Sequence, residues 1–147
     1  TFRNGQRHFM GSPPYITPEQ IRGEAVGPWT DEFALAVTLM SIGLRTDGFA
    51  VPGETLPQVM CRATSGSARF PYWRLAEKYL PDNVCETFER ALHPTSDQRF
   101  PDCLAFGLAL REHLRTLDTE TLNRRLPRRR LNDDELILAA YRNTDTI

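Results

Sequence analysis

The side chains most often used for metal binding and nucleophilic catalysis do not cluster in this sequence. Its three histidines are far apart, and none stands at metal-ligand spacing from a cysteine or an acid, as in HxxxH or CxxC motifs. They are His8, His93 and His113. The sequence also contains no GxSxG nucleophile motif and no GxxxxGKS/T phosphate loop. We therefore predict no metal site and no catalytic residue in this chain.

A stiff segment stands near the start of the sequence, where residues 11–20 read GSPPYITPEQ. Proline fixes φ near about −65° and disfavours helix in the residue before it, so this segment is held in a shaped loop. Thr17, Pro18 and Gln20 stand at the cap, first and third positions of a helix start. We predict a short helix that begins at about Pro18 and is broken by Gly23 and by the Gly-Pro pair at 27–28.

The composition is that of an ordinary single domain. The chain has 147 residues, of which 40% are hydrophobic and 25% charged, with a formal net charge of −1. Because the chain as a whole is not basic, nucleic-acid binding is not favoured. The longest apolar run, 34–42, is about half the length that a membrane-spanning helix needs, and residues 1–10 lack the apolar core of a signal peptide.

The three cysteines show no framework of disulfides or metal ligands. Cys61, Cys85 and Cys103 are odd in number and widely spaced, which is typical of reduced thiols in a protein core. Together with the missing signal peptide and membrane span, they predict a cytoplasmic protein.

The longest helix signal lies at 29–44, WTDEFALAVTLMSIGL. Thr30 is placed to cap it, and Asp31 and Glu32 stand in the first turn, where the helix dipole favours acids. The rest is apolar on nearly every side, which predicts a helix buried all round.

The remaining patterns are also helical. Weaker signals cover 55–64 and 74–79, and two clearer helices follow Asp82 and Asp102, each of which can serve as a cap. No convincing period-2 strand is present. We therefore predict an all-α fold with long connections rich in proline and glycine.

The C-terminal part differs in character. Five arginines surround Pro127 in residues 124–130, and we interpret 118–131 as an arginine-rich linker. Asn132 and three acids then predict a C-terminal helix within 132–147. The arginines could bind phosphate, or they could be solvated or paired with the nearby acids, and charge runs favour the second interpretation.

The order of three segments resembles the C-terminal lobe of Hanks-type serine/threonine protein kinases, the bacterial branch in particular. The segments are GSPPYITPEQIRGE at 11–24, TDEFALAVTLMSIG at 30–43 and ERALHPTSDQRFPDCLAF at 89–106. The resemblance covers roughly residues 9–114, and it implies a helical bundle around a buried central helix. Residues 1–10 would then be the end of an activation segment and 11–117 the helical lobe.

The resemblance also implies roles for single residues. Gly11, Ser12 and Tyr15 would help to bind the substrate. Glu19 would form a structural ion pair with Arg99, a pairing that guanidinium and carboxylate can make through two parallel hydrogen bonds. Asp31 would anchor the start of the central helix by accepting hydrogen bonds from the backbone of the catalytic loop.

The sequence departs from the family in several places. Ala36 stands where the family often has glycine, and HPTSDQR is one residue longer than the usual approach to the arginine. The N-terminal lobe and the catalytic loop are missing, and with them the nucleotide lysine, the metal ligands and the catalytic base. ATP and Mg²⁺ would therefore bind only if a parent protein carried those motifs.

The resulting prediction is a portion of a serine/threonine kinase-like protein that is not catalytic by itself and that binds a substrate or a protein partner. A degenerate kinase-like protein and an unrelated helical adaptor are the alternatives. In the family a further helix covers the central helix. We therefore expect the face of Phe33, Val37 and Met40 to be covered by a second copy, by the N-terminal part of the same protein, or by the C-terminal helix folded back.

Overall fold

The computed structural model describes residues 15–64 and 70–144, except for the side chains of 141–144. Gly11, Ser12 and the predicted activation-segment end at 1–10 lie outside the described residues. Every helix or strand element within those two ranges is helical, which confirms the predicted all-α class. The α-helices are α1 (Pro18–Arg22), α2 (Pro28–Leu44), α3 (Leu56–Thr64), α4 (Trp73–Tyr79), α5 (Asp82–Ala91), α6 (Cys103–Leu114), α7 (Thr119–Arg125) and α8 (Asp133–Thr144).

The longest of these helices, α2, packs against α4, α5 and α6. Its inward side chains include Phe33, Val37 and Met40, all of which are buried within the chain. The Phe33 ring stacks on Phe49 at 5.8 Å, in the loop that follows α2. The Phe33, Val37 and Met40 face is therefore covered within this chain, where α2 packs on α4, α5 and α6. A second copy or an N-terminal part as the cover of another side of α2 stays a prediction.

The opposite side of α2 is open. Asp31, Thr38, Leu39 and Ile42 are exposed, and Ile42 keeps 70% of its accessible surface. The helix is therefore not buried all round as its apolar sequence predicts. An apolar sequence indicates which residues are able to be buried, but the number of neighbouring helices decides how many of them are.

The helix starts agree with the sequence at α1 and α6 but not at α2. Thr17 caps α1 as predicted, because its hydroxyl accepts a hydrogen bond from the Gln20 amide at 3.3 Å, and Asp102 caps α6 through the Ala105 amide at 2.8 Å. The second helix begins earlier than predicted, with Gly27 as its cap. Thr30 lies inside the first turn, where its Oγ1 accepts from the Gly27 amide at 3.1 Å.

Two further predictions, on the cap of α5 and on the burial of the cysteines, differ from the structure. The fifth helix begins at Asp82 itself, and Pro81 occupies the cap position predicted for Asp82. Cys61 is exposed rather than a core residue, whereas Cys85 and Cys103 are half-buried. All three thiols are free.

The C-terminal part folds back onto the other helices. The segment predicted as a linker contains α7, which begins where Asp118 Oδ1 accepts a hydrogen bond from the Thr121 amide at 2.7 Å. The predicted C-terminal helix is present as α8, with Asn132 as its cap, 2.9 Å from the Glu135 amide. It packs against α4 rather than α2, and Leu136 is 2% exposed there.

Candidate functional site

A buried ion pair joins α1 to the turn that precedes α6. Arg99 Nη1 donates to Glu19 Oε2 at 2.7 Å, and Arg99 Nη2 donates to Glu19 Oε1 at 3.1 Å. The two residues are 80 positions apart in the sequence, and their side chains are 0% and 3% exposed. Two parallel hydrogen bonds fix the relative orientation of the two groups as well as their distance. The structure thus brings together the two residues that the family resemblance pairs.

The Arg99 guanidinium is held on its other edges by main-chain oxygens. Its Nε donates to the His93 carbonyl at 2.6 Å, and Nη2 also donates to the Pro94 carbonyl at 3.3 Å. The guanidinium carbon lies 4.6 Å from the centre of the Phe33 ring on α2. Arg99 therefore links α1, α2 and the turn before α6 in one buried cluster.

The Glu19 carboxylate is kept ionised by this cluster. Burial raises its pKa, but the hydrogen bonds and the charge of Arg99 outweigh that effect, so the net pKa lies below its ordinary value. Thr30 Oγ1 adds a hydrogen bond to Glu19 Oε2 at 3.3 Å. Because both groups are fully charged and saturated with partners, this pair holds the structure together and has no free proton to transfer.

A second buried carboxyl, on Glu32, was missed by the sequence analysis. It is 0% exposed, and among the described residues neither of its carboxyl oxygens has a hydrogen bond of normal geometry, although the Phe100 backbone acts to lower its pKa. Burial raises the pKa of Glu32 to about 8, although the charges of Arg99 and Arg90 oppose the rise. Glu32 is therefore mostly protonated at pH 7. The sequence gives no sign that Glu32 is buried, because an acid in the first turn of a helix is ordinarily exposed.

Asp31, the neighbour of Glu32, is exposed at the start of α2. It makes no hydrogen bond or ion pair with any residue in the described ranges. The pKa of the Cys103 thiol, at the start of α6, is raised by burial and to a smaller extent by the charge of Asp31. Asp31 thus has free acceptor capacity at the end of α2 where the family resemblance places an anchor.

Of the three residues assigned to substrate binding, only Tyr15 is described. Its hydroxyl donates to Asp47 Oδ1 at 3.1 Å, which connects the proline-rich segment to the loop after α2. Burial raises the Tyr15 pKa, and the positive charge of Arg130 lowers it in part.

Part of the arginine run is neutralised locally. Arg124 forms an exposed ion pair with Glu120, and Arg129 pairs with Glu135 through contacts of 2.9 and 3.0 Å. Exposed pairs of this kind contribute little stability. Arg45 Nε donates to the Pro127 carbonyl at 3.0 Å and thereby attaches the run to the end of α2. These contacts favour the interpretation of the run as a paired surface over that of a phosphate site.

No cluster of metal-ligating side chains occurs among the residues that the structure describes. Within the same residues, none of the helices is both long enough and apolar enough to cross a membrane. Comparison of the chain with protein-family models gives no match, and comparison with curated proteins gives none either.

Proposed function

We propose that this chain is the C-terminal-lobe portion of a serine/threonine protein kinase-like protein, not catalytic by itself, which acts in binding a substrate or a protein partner. The observation that carries the proposal is the Glu19–Arg99 pair. It is fully buried, it uses two hydrogen bonds, and it attaches the helix after the proline-rich segment to the turn before α6. A chance similarity of three short segments would not require these two residues to meet.

The surface that we assign to partner binding is the open side of α2 and the adjoining part of α6. Ile42 on α2 is 70% exposed, and Leu104 and Leu108, one turn apart on α6, are 69% and 54% exposed. The two helices pack against each other. Large apolar side chains exposed on neighbouring helices support an interaction surface, because water disfavours leaving them uncovered. Asp31, with its free acceptor capacity, lies at the N-terminal end of the same helix.

The partner in this proposal is the N-terminal part of the same protein, which would bring the groups that bind ATP and Mg²⁺. The first test is the coding sequence immediately upstream. A His-Arg-Asp motif followed by Asp-Phe-Gly within a few dozen codons is expected. Their absence would count against a kinase parent and favour a helical adaptor.

The second test measures binding between the two polypeptides. The polypeptide encoded upstream is expressed separately and titrated into this chain by calorimetry. Ile42→Asp should abolish binding, because a carboxylate would then be buried at the contact. Leu138→Asp is the matched control, since Leu138 is 53% exposed on α8, a helix that packs on α4. Equal losses with both variants would mean that the open side of α2 is not the contact.

A second copy of the chain is another candidate to cover this surface. Sedimentation velocity across a range of concentrations distinguishes the cases. A dimer that dissociates in Ile42→Asp would assign the surface to self-association, and a monomer at all concentrations would leave it for a different protein.

Cytoplasmic location is part of the same proposal, supported by the three free thiols.

A further inference from the structure

An apolar cavity lies between four helices, away from the Glu19–Arg99 pair. Its volume is about 160 Å³. Its floor consists of side chains that are buried in the core, namely Met40 and Leu44 of α2 and Val84 and Phe88 of α5. Half-buried leucines form the walls, among them Leu110 and Leu114 of α6. The cavity is thus a partly open apolar pocket at the edge of the core.

The lining sets the chemistry of any occupant. Among the described residues that line the cavity, none has a charged or hydrogen-bonding side chain, and the walls are aliphatic and aromatic apart from one glycine, Gly43. The cavity is partly open to solvent, but water inside it finds no polar partner on these walls. An apolar ligand that displaces this water would bury apolar surface. A charged or strongly polar ligand would lose its hydration here without compensation.

The outer wall of the cavity is the short helix α7. Leu122 and Leu126 turn towards the cavity, and Leu126 lies near Gly43 of α2. No residue of α7 is buried, and its capping and ion-pair contacts are within the helix itself. The contact that ties the following turn to α2 is the hydrogen bond from Arg45 to the Pro127 carbonyl. Weakly packed segments open at low free-energy cost, so α7 can admit a ligand without unfolding the core.

We propose that this cavity binds a small, uncharged apolar molecule, about the size of a benzene ring or a six-carbon alkyl chain, under α7. The cavity shares Leu39 with the open side of α2 but uses neither Glu19, Arg99 nor Ile42, so it is proposed as an activity distinct from the kinase-like function.

The test is a titration of the full chain with benzene, followed by methyl NMR and by thermal unfolding. We expect saturable binding, a Tm that rises with benzene concentration, and shifts concentrated at the methyl groups of Val84, Leu114 and Leu126. Benzoate, which has the same ring with a charge, should not bind, because the cavity offers its carboxylate no partner.

Two tryptophan variants on α6 complete the test. Leu110→Trp places an indole in the cavity and should weaken benzene binding at least about tenfold. Leu108→Trp is the control, since Leu108 is exposed and does not line the cavity, and it should bind benzene like the unchanged chain. If Leu110→Trp fails to fold, the positions of the shifted methyl signals in the unchanged chain decide whether benzene binds in the cavity. Absence of saturable binding, shifts centred on Ile42 and Leu104 instead of the cavity, or unchanged affinity in a folded Leu110→Trp would each overturn the proposal.

Discussion

Glu19 and Glu32 are both buried beside Arg99, yet their pKa values move in opposite directions. Arg99 donates two hydrogen bonds to Glu19 and holds its pKa below the ordinary value. Glu32 receives no hydrogen bond from Arg99, and burial raises its pKa to about 8 although the charge of Arg99 opposes the rise. The guanidinium therefore keeps the carboxylate to which it is hydrogen-bonded ionised, whereas its charge alone does not outweigh the burial of the second carboxyl.

The first prediction concerns the ion pair. Glu19→Ala and Arg99→Ala should each lower the free energy of unfolding by about 3–5 kcal/mol, because each leaves the other charge buried without its partner. The double variant should cost much less than the sum of the two. Urea denaturation of all four proteins measures this coupling. Additive costs would show that the contact contributes no interaction energy.

The second prediction concerns Glu32 and pH. The folded protein keeps a proton on Glu32 up to about pH 8, whereas an unperturbed carboxyl loses it near 4.5. Folding therefore takes up a proton between these pH values, and the free energy of unfolding falls as pH rises through this window. Glu32→Gln should remove this slope and be more stable than the unchanged chain at about pH 9, by a few kcal/mol.

Urea denaturation at several pH values between about 4.5 and 9 compares the two proteins. The Glu19 contribution does not interfere, because a carboxylate with a lowered pKa loses its stabilising effect only as pH falls below the unfolded value of 4.5. The same slope in Glu32→Gln and in the unchanged chain would contradict the assignment of the raised pKa to Glu32.

The third prediction is that the isolated chain neither binds Mg·ATP nor transfers phosphate. Its sequence lacks the lysine, the metal ligands and the catalytic base that phosphoryl transfer requires. Calorimetric titration with Mg·ATP and transfer of labelled phosphate to the chain itself and to a generic protein substrate provide the measurements. Saturable nucleotide binding with turnover would require a catalytic arrangement different from that of the kinase family.

The fourth prediction concerns the packing of α8 on α4. Leu136→Ala should lower the free energy of unfolding by about 2–4 kcal/mol, because Leu136 is 2% exposed and its removal leaves a cavity. Leu138→Ala on the same helix is the matched control, since that side chain is 53% exposed and should change stability by less than about 1 kcal/mol. Thermal and urea unfolding measure both. Similar small effects would mean that α8 does not stabilise the fold.

Several features that depend on neighbouring residues could be predicted from the sequence, although the caps of α2 and α5 were misplaced. Thr17, Pro18 and Gln20 set the start of α1, and Asp102 and Asn132 cap their helices as expected. These predictions hold because a cap is a contact among residues three or four positions apart, whose geometry the local backbone fixes. The Glu19–Arg99 contact was anticipated only through a family resemblance, since no local rule connects residues 80 positions apart.

The packing of the helices against one another determines which of their residues face the core. Asp31 and Glu32 are adjacent and both acidic, but Asp31 is exposed whereas Glu32 is fully buried. Adjacent residues of an α-helix point about 100° apart, so the position of the neighbouring helices determines which of the two is covered. For the same reason α2 has an open side around Ile42 that its apolar sequence does not indicate. Burial is a property of the packed helices, and the order of residues along one of them does not fix it.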